Sequence, residues 1–174
     1  MSEARKALTL YQPWASLVAV GAKTIETRPW STSYRGELWI HAGKRRMNLD
    51  DGSLKLWWQY REKLESQLDS RHWETLPYGQ VIARAQLMTI VPTSQCSRPS
   101  YFEIGYGDLP DRGWDMAIPE HDDGDDTVLI SDANAHCGNF DHGRFAWLLD
   151  DVEELPWDER VEARGAQRIW NWQL

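Results

Sequence analysis

Short apolar or alternating segments separated by turn-rich stretches constrain the fold of this 174-residue chain more than any other feature. A period of two residues is typical of strands, and a parallel sheet wound with helices would need a helix after nearly every strand. The sequence predicts an α+β fold, a small, mostly antiparallel β-barrel with helices packed at its ends. The predicted strands are 7–11, 24–30, 36–42, 80–91 and 144–152, and the predicted helices open at Gln12-Pro13-Trp14 and cover 53–68.

The length fits one domain, which we place at 1–174. Residues 96–142 are rich in Gly, Pro, Asp and Ser and include the acidic stretch 120–126. This composition predicts a long surface insertion within that domain.

No segment approaches the ~20 apolar residues that a membrane span needs, and residues 1–10 lack the apolar centre of a signal peptide. The two cysteines, Cys96 and Cys137, are too few for a disulfide framework. We therefore expect reduced thiols, a cytoplasmic location and no membrane partner. Nothing in the sequence indicates a protein partner.

The formal charge of −8 argues against a protein that grips long duplex DNA through clustered cations. The charge is unevenly distributed, because residues 1–48 carry eight Lys or Arg against three acids, a balance of +5. The remainder must be −13.

The most informative stretch is 21–28, Gly-Ala-Lys-Thr-Ile-Glu-Thr-Arg. Strand alternation places Glu26 and Arg28 on one face, with Thr24 and Trp30. A close Lys23–Glu26 pair could move a proton or polarise water, and Arg28 could bind phosphate or a carbonyl oxygen. The alternative is a surface ion pair without a role, worth at most about 1 kcal/mol.

Other side chains have two interpretations each. Trp14 and Trp30 could stack on a base or pack in the core. His41 could assist proton transfer or be structural. The basic strip Lys44-Arg45-Arg46 could touch a nucleic-acid backbone.

Several motifs together resemble the ASCH-domain family. They are Gln12-Pro13-Trp14-Ala15, the run from Gly21 to Arg28 ending in Trp30, the strand 39–42, the segment 143–147, and Ile169-Trp170-Asn171. The resemblance covers residues 6–48, 79–92 and 143–172 and leaves 96–142 uncovered.

This resemblance implies a PUA-like β-barrel whose cleft is lined by Lys23, Glu26 and Arg28, the candidate catalytic residues. The family is expected to bind RNA, and some similar members act as ribonucleases or as amidohydrolases on N4-acylated cytidine. In the amidohydrolases a threonine nucleophile stands three residues after the lysine, where this chain has Glu26. Glu26 would then act as a base on water, with Lys23 or Arg28 stabilising negative charge. The neighbours Thr24 and Thr27 remain alternatives.

A metal site is considered at His136, Cys137 and His142, beside Asp141. Structural zinc sites usually have two closely spaced ligand pairs, and no second pair is present. We predict neither a metal nor another cofactor.

Three functions remain open. The first is recognition of single-stranded RNA or a modified nucleoside, with candidate binding residues Gln12, Pro13, Trp14, Thr24, Trp30, His41, Lys44, Arg45 and Arg46. The second is hydrolysis, as a ribonuclease or nucleoside amidohydrolase. The third is a protein-interaction domain without catalysis.

Overall fold

A computed structural model describes residues 4–47, 52–67, 75–97 and 127–173. The strands are β1 (Arg5–Leu10), β2 (Ile25–Arg28), β3 (Gly36–Ala42), β4 (Gln80–Pro92), β5 (Cys96–Ser97), β6 (Val128–Leu129), β7 (Phe145–Glu154), β8 (Val161–Glu162) and β9 (Ile169–Trp172). The helices are α1 (Trp14–Ala19), α2 (Ser53–Tyr60) and α3 (Asp132–Cys137). Short 3₁₀ turns lie at Glu65–Gln67, Thr93–Gln95 and Trp157–Glu159.

Seven strands form one curled sheet in the order β2-β7-β4-β3-β1-β9, with β8 paired to β4. Only the β1–β3 pair is parallel within this sheet, because the chain passes through α1 and β2 before it returns. The register between β4 and β7 shifts twice, at Arg84/Gln86 and Leu87/Thr89. Such bulges bend a strand and increase its twist, which accounts for the curl.

The predicted barrel needs one correction, since within the described part of the chain the sheet stays open. β2 pairs with β7 and β9 pairs with β1, and these two outer strands do not pair with each other. The α+β class and the mostly antiparallel pairing are confirmed. The fold is an open, curled half-barrel, which is compatible with a PUA-like fold.

One face of the sheet is covered by α1. Ala15, Val18 and Ala19 of this helix join the largest core cluster, which includes the fully buried Trp147 of β7. Leu17 points to a second cluster with residues of α2 and Cys137. The short helix is thus buried on both sides, and it fixes the chain that enters β2.

Residues 127–142 depart from the picture of a surface insertion. α3 packs beside the start of β2, and β6 pairs with β5. Residues 98–126, including the acidic stretch, lie outside the described residues. No helix among the described residues is both long and apolar enough to cross a bilayer.

Candidate functional site

A cleft of about 690 Å³ lies where the end of β1, the start of α1, and β2 meet two later segments of the chain. The later segments are 136–139 with Arg144, and 166–168 just before β9. The residues that matter for its chemistry are Thr9, Tyr11, Trp14, Glu26, Thr27, Arg28, Trp30, His136, Cys137, Asn139, Arg144 and Arg168.

Three charged side chains form a linked set at this cleft. The Glu26 Oε2 lies 3.1 Å from Lys23 Nζ, and its Oε1 lies 3.0 Å from Arg28 Nε. The second contact is an ion pair without hydrogen-bond alignment at Nε, and Arg28 Nη2 donates to the Thr9 carbonyl at 2.9 Å. Each carboxylate oxygen of Glu26 therefore lies beside one cationic side chain.

Burial differs sharply across this set. The Lys23 side chain is 1% exposed, Glu26 is 10% exposed and Arg28 is 24% exposed. Lys23 does not line the cleft; it lies behind Glu26 and also donates to the carbonyl of Ile25. Glu26 and Arg28 are the members that face the opening.

The position of Lys23 follows from the end of α1. Gly21 adopts a φ of +68°, a left-handed conformation that L-residues with side chains rarely adopt. The turn brings the Lys23 amide onto the Leu17 carbonyl at 3.0 Å. The chain then enters β2 with Glu26 and Arg28 on its cleft face.

Helix α3 anchors the start of β2 through one buried side chain. Asn134 Oδ1 accepts from the amides of Thr24 and Ile25, each at 2.9 Å, and its Nδ2 donates to Thr24 Oγ1 at 2.9 Å. Ser131 caps α3 by accepting from the Asn134 amide. A buried amide satisfied in this way fixes the strand against the helix.

The loop after α3 holds the other half of β2. The Asn139 amide donates to Thr27 Oγ1 at 2.9 Å. Arg144 Nη2 donates to the Thr27 carbonyl and its Nε to the Asn139 carbonyl, both at 3.1 Å. Arg144 is thereby positioned in the wall of the cleft.

The cleft also has aromatic walls. Trp30 meets the buried Trp147 edge-to-face, with ring centroids 4.6 Å apart. The Arg168 guanidinium lies 5.3 Å from the Trp30 ring centroid, within cation–π range. Trp14 is half-buried, and Tyr11 is exposed.

Some residues proposed as binding groups lie away from the cleft. Gln12 is buried, and it donates to Ser16 Oγ and the Pro77 carbonyl, so it holds α1 in place. Pro13 is buried beside it, and Thr24 is engaged by Asn134. None of these three residues lines the cleft.

His41 and the basic strip also lie outside the cleft lining. His41 is buried, with Nδ1 3.2 Å from Thr9 Oγ1 and Nε2 3.2 Å from the Ala163 carbonyl. Burial lowers the pKa of its imidazole, an effect that the Ala163 and Gly79 backbone contacts oppose. Residues 44–46 are exposed, and Arg45 lies 5.2 Å from the ring centroid of the cleft residue Tyr11.

Cys137 lies in the cleft wall as a free, buried cysteine. Burial raises its pKa, while nearby Lys23 and a hydrogen bond with Tyr60 lower it. The pKa of Tyr60 rises to about 12, chiefly through burial. Across the described ranges, no group of three His, Cys, Asp or Glu side chains is close enough to hold a metal ion.

The sequence interpretation missed Asn139, Arg144 and Arg168 as cleft residues. Arg144 lies within a motif of the family resemblance, whereas Arg168 directly precedes one. Asn139 lies in the region interpreted as an insertion. Only the fold brings these three beside β2.

The family of the chain follows from comparison with known proteins. The ASCH domain model matches residues 8–104, which include Lys23, Glu26 and Arg28, and the chain belongs to the ASCH-domain family. The chain is similar to Activating signal cointegrator 1 of Mus musculus, at 56% identity over 39 residues, which are 22% of this chain and 7% of that protein. It is similar to the Homo sapiens protein of the same name at 54% identity over 35 residues, 20% of this chain and 6% of that protein. The match thus spans only a small part of these relatives.

Proposed function

We propose that the chain binds single-stranded RNA, or a modified nucleoside, in this cleft. The observation that carries the proposal is the positive charge of the cleft lining. Among the described residues, Arg28, Arg144 and Arg168 line the cleft against Glu26, a balance of +2 in a chain whose total is −8. Lys23 adds a further cation directly behind Glu26. Cations concentrated in a concave site of an acidic protein favour a phosphate-bearing ligand.

The aromatic walls support a base as the second half of the ligand. Trp14, Trp30 and Tyr11 offer ring surface beside the three arginines. Base stacking on aromatic side chains contributes about 1–3 kcal/mol per base and needs no pairing partner. The volume of about 690 Å³ also suits a nucleotide-sized group rather than a duplex.

The arrangement around Glu26 favours recognition over hydrolysis. A general base needs a free oxygen within hydrogen-bond reach of water. Each Glu26 oxygen lies 3.0–3.1 Å from a cation, so part of the acceptor capacity of the carboxylate is already engaged before a water binds. Ribonuclease-like cleavage, amide hydrolysis of N4-acylated cytidine and protein interaction are therefore alternative outcomes of the test.

The test is a binding assay by fluorescence anisotropy with short labelled single-stranded RNA. Arg168→Gln removes a cleft cation and should weaken binding about tenfold, the size of one lost charge-assisted hydrogen bond. Arg164→Gln is the matched control, because Arg164 is exposed in the same segment and does not line the cleft. It should leave the affinity unchanged.

Ligand class and catalysis are read from the same samples. Duplex DNA of matching sequence should bind more weakly than the single strand. Detection of RNA fragments, or of cytidine released from N4-acetylcytidine, would show that the protein is a hydrolase and not only a recognition module. Equal affinity for RNA in both arginine variants would contradict the cleft as the binding site.

A further inference from the structure

A second, smaller cavity of about 210 Å³ adjoins the cleft. Trp14 and His136 belong to the walls of both cavities. The remaining walls come from α2 and the glycine that precedes it: Gly52, Lys55, Leu56 and Gln59. The two spaces are therefore neighbours across one indole and one imidazole.

The chemistry of the smaller cavity repeats that of the cleft on a smaller scale. Trp14 and Leu56 supply apolar surface, and Lys55 supplies a cation. The side-chain amide of Gln59 lies 3.2 Å from His136 Nδ1, which orients the imidazole. Lys55 and Gln59 are exposed and stand one helical turn apart, so both side chains are on the same face of α2.

We propose that this cavity is a second nucleotide subsite, so that the protein takes two consecutive nucleotides of an RNA strand. The inference rests on the function proposed above and makes its ligand more specific. One base occupies the main cleft and the next occupies the smaller cavity, with Trp14 between them. The linking phosphate lies within the reach of Lys55. A cavity of about 210 Å³ is below the usual range for a whole small-molecule ligand, which fits one base of a longer strand.

This arrangement separates a strand from a free nucleoside. A nucleoside has one base and no bridging phosphate, so it can fill only the main cleft. A dinucleotide gains stacking on Trp14 and a contact with Lys55. Each phosphate neutralised on a single strand also adds about 0.7 to the slope of log affinity against log salt.

The experiment competes labelled single-stranded RNA with a ribonucleoside monophosphate and with the dinucleotide that extends it. The wild-type protein should bind the dinucleotide about tenfold more tightly. Lys55→Gln should remove part of that gain and leave monophosphate affinity unchanged, because Lys55 lines the smaller cavity and not the main cleft. Lys63→Gln is the matched control, since Lys63 is exposed nearby and lines neither cavity.

The outcomes separate the two proposals. Equal affinity of wild type for monophosphate and dinucleotide would overturn the second subsite and leave RNA recognition standing. A dinucleotide gain of the same size in wild type and Lys55→Gln would also overturn it. Absence of binding by RNA, dinucleotide and monophosphate alike would overturn both proposals.

Discussion

Lys23 and Glu26 form an ion pair at 3.1 Å in which the lysine side chain has lost nearly all contact with solvent. A charge in that position depends on its partner, because an unpaired buried charge is far more costly than an exposed one. The pair is therefore structural in its energetics even though Glu26 faces the cleft. This dual role shapes the first prediction.

Glu26→Gln should lower the free energy of unfolding by about 3–5 kcal/mol, because it leaves the Lys23 ammonium buried without a counter-charge. The double variant Lys23→Met/Glu26→Gln should recover part of this loss. Urea denaturation measures both. Glu153→Gln, at the exposed ion pair with Arg84, is the control and should change little. Additive losses in the double variant would show that the two residues do not depend on each other.

Asn134→Leu should destabilise the protein by about 2–5 kcal/mol, because the amides of Thr24 and Ile25 lose their shared acceptor. RNA affinity should fall as well, because Thr24 and Ile25 lead into β2, the strand that carries Glu26 and Arg28 into the cleft. Thermal unfolding and the anisotropy assay give the two readings. Asn171→Ala is the control, because Asn171 is exposed and its side-chain oxygen accepts from Lys6 at the surface. A stable Asn134→Leu variant would contradict the anchoring role of α3.

Stability should decrease on acidification partly through His41. Its folded-state pKa is lowered by burial, so below the unfolded pKa of about 6.5 the unfolded chain binds a proton more readily. The stabilising effect of neutral His41 is complete above that pH and is lost as pH falls through the folded pKa. The limiting slope for one group is about 1.4 kcal/mol per pH unit.

The measurement compares urea unfolding of wild type and His41→Gln between neutral and mildly acidic pH. The variant should show a shallower decrease, and the carboxylates common to both proteins cancel in the difference. The charge of Lys44 also disfavours protonation of His41. Identical pH profiles would indicate that His41 does not titrate differently in the two states.

Gly165→Ala should weaken RNA binding without acting on the ligand directly. A Cβ at Gly165 would lie 2.5 Å from His41 Cε1 and 2.8 Å from Thr9 Oγ1, closer than side chains tolerate. The segment must shift, and it carries Arg168 into the cleft. We expect a several-fold loss of affinity in the anisotropy assay. Arg164→Ala, one residue earlier, should not reproduce it.

Local patterns predicted several elements well, because their residues interact with near neighbours. The strand predicted at 36–42 is β3 with the same bounds, and the helix predicted to open at Gln12-Pro13-Trp14 is α1, which begins at Trp14. The helix predicted over 53–68 is shorter. α2 ends at Tyr60, and the chain tightens at Leu64, whose amide donates to both the Tyr60 and Arg61 carbonyls.

Tertiary packing explains why the α-helix gives way to tighter turns around Leu64. Leu64 and Gln67 are both fully buried, and Gln67 accepts a hydrogen bond from Ser16 of α1. Helical periodicity alone cannot foresee such a contact, because its two ends are 51 residues apart in sequence. Packing against α1 decides the geometry there.

The candidate site was predicted in part for the same reason. Lys23, Glu26 and Arg28 lie within six residues, and strand alternation groups Glu26 with Arg28. The placement of Glu26 and Arg28 in a cleft with Asn139, Arg144 and Arg168 depends on partners more than 100 residues away. The sheet stays open because its outer strands, β2 and β9, do not pair with each other. No local sequence pattern specifies which distant strands pair.

In the described chain β2 pairs with β7 and with no other strand, so we expect any fragment that preserves the cleft to include β7. The family match stops at residue 104, before β7 begins at Phe145. A fragment cut at that limit would leave Glu26 and Arg28 on a strand without a neighbour, and it would lack the fully buried Trp147. We therefore expect the matched stretch to need the later segment that contains β7 in order to fold. A fragment produced for expression should extend through β9, which pairs with β1 at the edge of the sheet.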